Sequence, residues 1–263
     1  MKNFVTGAQL YSVRKLVQEK QSIDDTFAAI SAMGYTTCQL SGQNRAIEPE
    51  FYADMLKKHG LKCVVTHNSM QDFEEGLDDL IRRHHIWNCR YAGIGSMPGD
   101  YKGRWEGYRD FALKMNGIAK KLKDEGITFV YHNHMFEFSR VPDGHMGMDV
   151  LFDYFGDNAQ FELDTFWVQA GGANPVSWIR KVNGRMDVMH FKDMMGGAAF
   201  GGQFSVMVPV GSGNLEWLEI KKACEETGVL YAEVEQDNAS DMEDPLGQMK
   251  ISAENLKKMG FTL

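Results

Sequence analysis

The sequence predicts an α/β fold, a (β/α)8 or TIM barrel, in one domain over residues 1–263. Short apolar runs alternate with amphipathic segments along the whole chain, eight such runs read as strands, and most links between segments are short. Parallel strands joined by helical crossovers explain this alternation, and eight such units close most naturally into a barrel. A doubly wound open sheet competes, but the chain lacks Gly-X-Gly-X-X-Gly in its first strand–helix turn and lacks Gly-X-X-X-X-Gly-Lys-Ser/Thr.

The predicted strands are rich in β-branched and aromatic residues, which favour extended backbone. They cover Val5–Leu10, Thr36–Leu40, Cys63–His67, Tyr91–Gly95, Thr128–His132, Gln160–Asp164, Asp187–Phe191 and Leu230–Glu235. Between them, apolar residues recur at helical spacing. The clearest predicted helices are Ser22–Met33, Pro49–His59, Arg104–Lys123 and a last one that Asp244-Pro245 opens and that runs to about Lys258.

Two glycine-containing stretches interrupt the alternation. We predict irregular loops at Met194–Gly213 and, shorter, at Gly42–Pro49. Long loops of this kind in a barrel usually serve function.

Composition limits the function classes. The chain is 43% hydrophobic and 24% charged, as is ordinary for a globular protein, and its net charge of −8 argues against binding to nucleic acid or a membrane surface. No apolar run is long enough to span a membrane, and the first residues are not a secretory signal. Four widely spaced cysteines (Cys38, Cys63, Cys89 and Cys224) look like small buried residues, so we expect the cytoplasm as the compartment.

The most informative segment is Tyr131–Phe138, which follows a strand introduced by Gly126. Side chains alternate faces along a strand, so His132 and His134 project from the same face. Two imidazoles where a strand gives way to a loop indicate metal or proton-transfer chemistry. The alternative is a pair of hydrogen-bonded histidines under a loop.

In a barrel, the polar residues at the carboxyl ends of the strands meet at one mouth, where active sites of this fold lie. His132, Asp164, His190 and Glu235 end strands five to eight and should surround one point. Two imidazoles and two carboxylates suit a borderline divalent ion such as Mn, Co, Fe, Ni or Zn, with Lewis-acid chemistry.

Each of these ligands has an alternative interpretation. Asp164 could cap the following helix, and His190 could be a core histidine. Glu233 shares a face with Glu235, and His134 lies one layer above His132. We favour Glu235, as the later position nearer the mouth, and His132, with Glu233 and His134 as the alternatives.

Other candidates surround the predicted ion. Lys192 could donate a hydrogen bond to a substrate oxygen, although a surface lysine is equally compatible with the sequence. His67, Trp167 and Tyr11 are candidates for substrate binding, against capping or core packing.

At this point the sequence resembles the sugar phosphate isomerase/epimerase family of xylose isomerase-like TIM barrels, over nearly the whole chain. The resemblance rests on five segments: Gln9–Arg14, Tyr131–Phe138, His190–Asp193, Val208–Trp217 and Val234–Asp237 with the later Asp244-Pro245-Leu246. It is specific for the superfamily and much less so for a substrate.

The resemblance implies one divalent ion (Mn, Co, Zn, Fe or Mg), bound by one residue from each of strands five to eight. Asp164, His190 and Glu235 match that pattern, while His132 stands where relatives often have glutamate. In the family's epimerases two metal-bound glutamates act as paired acid/bases. Here Glu137, His134 or His132 itself would have to take the second role.

The activity implied is that of a sugar isomerase or epimerase that abstracts a proton next to a carbonyl through a metal-stabilised enediolate, with Glu235 or His134 as base. A dehydratase or lyase, similar to inosose dehydratases or a 3-keto-sugar eliminase, is the alternative, favoured by the histidine at strand five. A DNA-repair endonuclease shares the barrel, but the acidic balance counts against it. A non-catalytic sugar-binding barrel is a third class. The expected partner is a small carbohydrate, and homo-oligomerisation stays open.

Overall fold

The structure is a computed structural model that describes residues 4–197 and 204–263. Eight parallel strands form the barrel: β1 (Val5–Gln9), β2 (Thr37–Leu40), β3 (Lys62–Asn68), β4 (Tyr91–Ile94), β5 (Thr128–His132), β6 (Ala159–Glu162), β7 (Val188–Phe191) and β10 (Tyr231–Val234). Their spatial order is β6-β5-β4-β3-β2-β1-β10-β7. A parallel bridge between Asp164 and His190, just past β6 and within β7, joins the two ends of this sheet.

Helices cover the outside of the barrel and bury their apolar faces against it. In α5, for example, Phe111, Met115 and Leu122 are buried at helical spacing, while Lys120 and Lys121 face solvent. The helices are α1 (Lys20–Ala32), α2 (Pro49–Lys58), α3 (Met70–Glu74), α4 (Leu77–Trp87), α5 (Trp105–Asp124), α6 (Gly147–Tyr154), α7 (Thr165–Ala170), α8 (Pro175–Lys181), α9 (Trp217–Thr227) and α10 (Pro245–Lys258).

The barrel prediction is confirmed, and the eight predicted strands agree with the observed ones within two residues at each end. The four helices predicted most clearly are also present, with proline in the first turn of α2 and α10. All four cysteines are buried and free, as expected. That residues 1–263 form one domain stays a prediction.

The prediction of an irregular loop over Met194–Gly213 is wrong in part. Most of its described residues belong to an antiparallel hairpin of β8 (Asp193–Gly197) and β9 (Phe204–Val208). In this hairpin Asp193 pairs with Val208 at one end, and Gly197 pairs with Phe204 at the other. Residues 198–203 of that prediction lie outside the described part. Glycine and methionine dominate β8, so β-branched enrichment does not reveal this strand.

Asp193 fixes the hairpin to the segment that follows it. This carboxylate is fully buried and accepts hydrogen bonds from the backbone N–H groups of Gly211 (2.8 Å) and Gly213 (2.9 Å) and from the Trp217 indole (2.8 Å). Its other oxygen accepts from the N–H groups of Met194 and Leu215. A Cβ at Gly213 would overlap the Asp193 carboxylate, so this close approach requires glycine.

In the described ranges, no helix is both long enough and apolar enough to cross a membrane. The carboxyl ends of the eight barrel strands lie together, and the loops that follow them form the mouth of the barrel.

Candidate metal centre and active site

Four buried side chains converge at the mouth, one from the carboxyl end of each of four neighbouring barrel strands. They are His132, Asp164, His190 and Glu235, and each offers a ligand atom within 4.8 Å of the others. At most 4% of any of these residues is exposed. This is the cluster expected from the sequence: Glu235, not Glu233, belongs to it, and so does His132, not His134.

A backbone carbonyl orients His132. Its Nδ1 lies 3.1 Å from the carbonyl oxygen of Gly95, and this oxygen can only accept a hydrogen bond. Nδ1 therefore carries the proton, and Nε2 faces the Asp164 carboxylate at 3.4 Å with its lone pair free. Burial and the neighbouring His190 lower the pKa of His132, which keeps the imidazole neutral, as a metal ligand must be.

His190 is oriented in the same way, but by a side chain, that of Gln39 on β2. Its Nε2 lies 2.6 Å from Oε1 of Gln39, while its Nδ1 lies 2.8 Å from the Glu235 carboxylate. Burial by itself lowers the pKa of His190, but the carboxylates of Glu162 and Glu235 raise that pKa well above its ordinary value. The carboxylates on both sides of the ring, Glu162 at Nε2 and Glu235 at Nδ1, thus stabilise positive charge at this place.

Asp164 caps a helix with one oxygen and faces the cluster with the other. Its Oδ1 accepts a hydrogen bond from the backbone N–H of Trp167 at 2.9 Å and so caps α7. Its Oδ2 points the other way, towards His132, His190 (3.7 Å from Nδ1) and Lys192.

Lys192 is not a surface lysine, because only 1% of it is exposed. Its ammonium lies 3.0 Å from Asp164, 2.8 Å from Glu235 and 3.1 Å from Asp237. Although burial alone would lower the pKa of Lys192, these carboxylates raise it above its ordinary value. The amine therefore stays charged next to the cluster.

The residues present fit a divalent ion. Burial opposes ionisation of Asp164 and Glu235, yet Lys192 and the histidines hold both carboxyl pKa values below the ordinary range. Two ionised carboxylates and two imidazole nitrogens thus lie together in a buried place. The negative charge that favours a proton on His190 would equally favour a cation bound by this N/O set.

The cluster borders a cavity of about 540 Å³ at the mouth. Two predicted substrate contacts, Tyr11 and His67, line this cavity, as do His134 and Lys192. Trp167 lies beside it: its ring is 5.2 Å from that of His134 and 5.3 Å from the Lys192 ammonium. A larger groove of about 940 Å³ lies on the outer surface, around Glu74 and Lys114, away from the cluster.

His134 and Glu137 differ in how they relate to this cavity. Burial and the neighbouring His132 lower the pKa of His134 to about 3, so its imidazole is neutral. Glu137 does not line the cavity. It is fully buried and accepts hydrogen bonds from the Tyr131 hydroxyl (2.6 Å) and the backbone N–H of His134 (2.8 Å). The structure therefore does not place Glu137 at the cavity. Its side chain instead fixes the backbone at His134 through the hydrogen bond from the His134 N–H.

Three further polar residues at the site were not among the sequence candidates. Glu162 lies 2.7 Å from His67 Nε2 and 3.1 Å from His190 Nε2. Gln39 holds His190, as described above, and Asp237 lines the cavity next to Lys192. For Glu162 a signal was available, since it stands two residues before Asp164 at a strand end and shares its face.

Fold and site together define an α/β barrel with a mixed histidine–carboxylate cluster at the carboxyl ends of its last four barrel strands. A family model described as xylose isomerase-like TIM barrel matches residues 27–259, and the chain belongs to this family. The resemblance found in the sequence is thereby confirmed.

Solved structures share the fold at low sequence identity. A sugar phosphate isomerase/epimerase from Parabacteroides distasonis has a TM-score of 0.82 at 21% identity, covering 100% of this chain and 96% of its own. The probable 3-DHS dehydratase AsbF from Bacillus anthracis has a TM-score of 0.72 at 16% identity, covering 97% of this chain and 98% of its own. The IOLI protein, with a binding zinc atom, has a TM-score of 0.72 at 13% identity, covering 99% of this chain and 100% of its own. No curated protein matches the chain.

Proposed function

We propose that the protein is a divalent-metal-dependent isomerase or epimerase that moves a proton at a carbon next to the carbonyl of a sugar or related polyol. The single observation that carries this proposal is the convergence of His132, Asp164, His190 and Glu235 beside an accessible cavity. The sugar phosphate isomerase/epimerase with the same fold supports the reaction class, and the zinc atom of the IOLI protein supports the cofactor.

The roles of the residues follow from their charge and position. Bound at the cluster, a divalent ion would polarise the carbonyl and stabilise the charge that develops when the neighbouring proton leaves. Glu235 is ionised and reaches the cavity, so its carboxylate accepts that proton. The Lys192 ammonium, which also lines the cavity, donates a hydrogen bond to a substrate oxygen. His134, whose imidazole is neutral, is the second proton-transfer candidate.

Chelation tests the proposal. The assay measures, by proton NMR, the exchange of carbon-bound hydrogen in heavy water over a panel of keto sugars. We expect a chelator to abolish this exchange and Mn²⁺ or Co²⁺ to restore it. His190→Ala should bind Mn²⁺ more weakly and lose turnover. Full turnover in the chelated protein, or in His190→Ala with metal bound, would rule out this site.

A dehydratase or lyase is the second candidate, and two observations favour it. Strand five supplies His132 in place of a glutamate, and Glu137 is buried and does not line the cavity, so two matched carboxylate bases are not available at these positions. The probable 3-DHS dehydratase AsbF shares the fold. In the same NMR experiment, an olefinic or deoxy product would identify a lyase, while exchange at one carbon without loss of water would identify an isomerase or epimerase.

A further inference from the structure

The mouth of the barrel has two chemically different halves. The cluster and Lys192 lie on the half formed by the ends of β5, β6, β7 and β10. The ends of β1 to β4 form the opposite half. The lining residues of this second half, which we call the β1–β4 half, are Tyr11, Ser41, His67, Asn68, Ser69, Met70, Gly95, Ser96 and Pro98.

The β1–β4 half is built for a neutral, hydroxyl-rich ligand. Among its lining residues in the described ranges there is no lysine, arginine, aspartate or glutamate, and His67 is paired with Glu162 inside the barrel. The lining of this half combines the polar side chains of Ser41, Ser96 and Asn68 with the apolar side chains of Met70 and Pro98. Small polar groups set among apolar contacts suit the edges and faces of a sugar ring.

A phosphate group has no matching partner in the cavity. Lys192 is the one lysine or arginine among the described lining residues, and its ammonium already lies within 3.2 Å of Asp164, Glu235 and Asp237. Two other cations lie outside the lining: the Lys102 ammonium is 3.3 Å from the Ser96 hydroxyl, and Arg14 donates to the carbonyl oxygens of Tyr11 (3.1 Å) and Asp237 (2.8 Å). Phosphate recognition usually combines several cations and N–H donors aimed at one point, and the described lining side chains supply only Lys192 as a cation.

The cavity is also too large for one sugar ring. A hexose fills roughly 200 Å³ at the packing density of organic solids, and two rings roughly 400 Å³. The cavity measures about 540 Å³, so a monosaccharide at the cluster would leave the β1–β4 half to water.

We propose that the substrate is an uncharged keto sugar that is larger than a monosaccharide, namely a disaccharide or another glycoside. Its reacting ring faces the cluster, and its second group occupies the β1–β4 half. This inference rests on the proposed function, because the reacting ring is placed by the cluster. It adds the substrate class, which the family and the shared fold leave open.

The test compares three substrate classes with the Mn²⁺-loaded protein in heavy water: ketohexoses, their phosphates, and keto-disaccharides that contain the same hexose. We expect kcat/KM at least tenfold higher for the best keto-disaccharide than for its ketohexose, and no gain from the phosphate. A preference for a ketohexose phosphate, or equal values for the disaccharide and the hexose, overturns the substrate class and leaves the proposed function standing. No turnover with any class overturns the proposed function, and the inference with it.

A variant locates the second group. Ser96 is exposed at the rim of the β1–β4 half, so Ser96→Trp fills space there without disturbing the core. The ratio of kcat/KM for keto-disaccharide to that for ketohexose should fall at least tenfold, and because both values come from one variant, a folding defect cancels. The matched control is Ser177→Trp, an exposed serine on α8 outside the cavity, which should keep the wild-type ratio. An unchanged ratio in Ser96→Trp refutes the second group's position.

Discussion

The hydrogen bond from His190 Nε2 to Gln39 gives the sharpest prediction about the cluster. Gln39 is fully buried, and its Oε1 accepts that bond at 2.6 Å, so Nδ1 faces Glu235, another member of the cluster. Gln39→Leu keeps a similar side-chain volume and removes the acceptor. The imidazole then loses the partner that fixes its ring orientation and increases its basicity as a ligand.

The size of the effect follows from what remains around Nε2. Loss of such a partner typically reduces metal affinity by about 10- to 100-fold, or roughly 1.4 to 2.8 kcal/mol. Glu162 Oε1 lies 3.1 Å from the same nitrogen and replaces part of the lost bond. We therefore expect about a tenfold weaker Mn²⁺ affinity for Gln39→Leu and about a hundredfold loss when Glu162→Leu is added.

Isothermal titration calorimetry with Mn²⁺ at pH 7.5 measures this affinity directly. Gln71→Leu, an exposed glutamine on α3, is the control and should bind like the wild type. A Kd within twofold of wild type for both the single and the double variant would refute the argument that these two side chains orient His190.

Three further predictions concern neighbouring groups. Lys192→Met removes the cavity-lining ammonium, so kcat should fall about 10²- to 10³-fold in the heavy-water exchange assay, whereas Lys120→Met on the outside of α5 should leave it unchanged. Asp193→Ala leaves buried N–H donors unpaired and should lower the free energy of unfolding by at least about 3 kcal/mol in urea titrations. The control, Asp143→Ala at an exposed position, should cost less than about 1 kcal/mol. A loss that small in Asp193→Ala would contradict the argument that Asp193 holds the hairpin in place. Burial raises the pKa of Glu137 from 4.5 to about 8, so its protonated form stabilises the fold fully below pH 4.5, and this contribution is lost as the pH rises through 8. Urea unfolding from pH 4 to 9 should show a smaller decline in Glu137→Gln than in the wild type, and parallel curves would disprove the shift.

Periodicity made the barrel predictable. Eight apolar runs of strand length, each followed by a helical pattern, leave few alternatives, because parallel strands need crossover helices. The hairpin of β8 and β9 was missed because Gly196 and Gly197 carry no pattern of their own. Its geometry depends instead on Asp193, whose five N–H and indole partners come from positions up to 24 residues away.

The cluster was predictable because its members end successive strands, a position that sequence alone reveals. The orientation of each ligand was not, because it depends on distant partners: Gly95 for His132 and Gln39 for His190. The contacts of Glu137 are likewise not visible in the sequence. Its side chain accepts a hydrogen bond from the Tyr131 hydroxyl and does not line the cavity, and its role in proton transfer stays a prediction.

The two oxygens of Asp164 have a consequence for how an ion would bind. Because the bond from Oδ1 to the Trp167 N–H forms on folding, the carboxylate is immobilised before any ion arrives. The entropy of ordering this ligand is therefore lost during folding and not during binding, which is preorganisation in the thermodynamic sense. The same bond ties the first turn of α7 to the occupancy of the cluster, so amide exchange at Trp167 would slow when an ion binds.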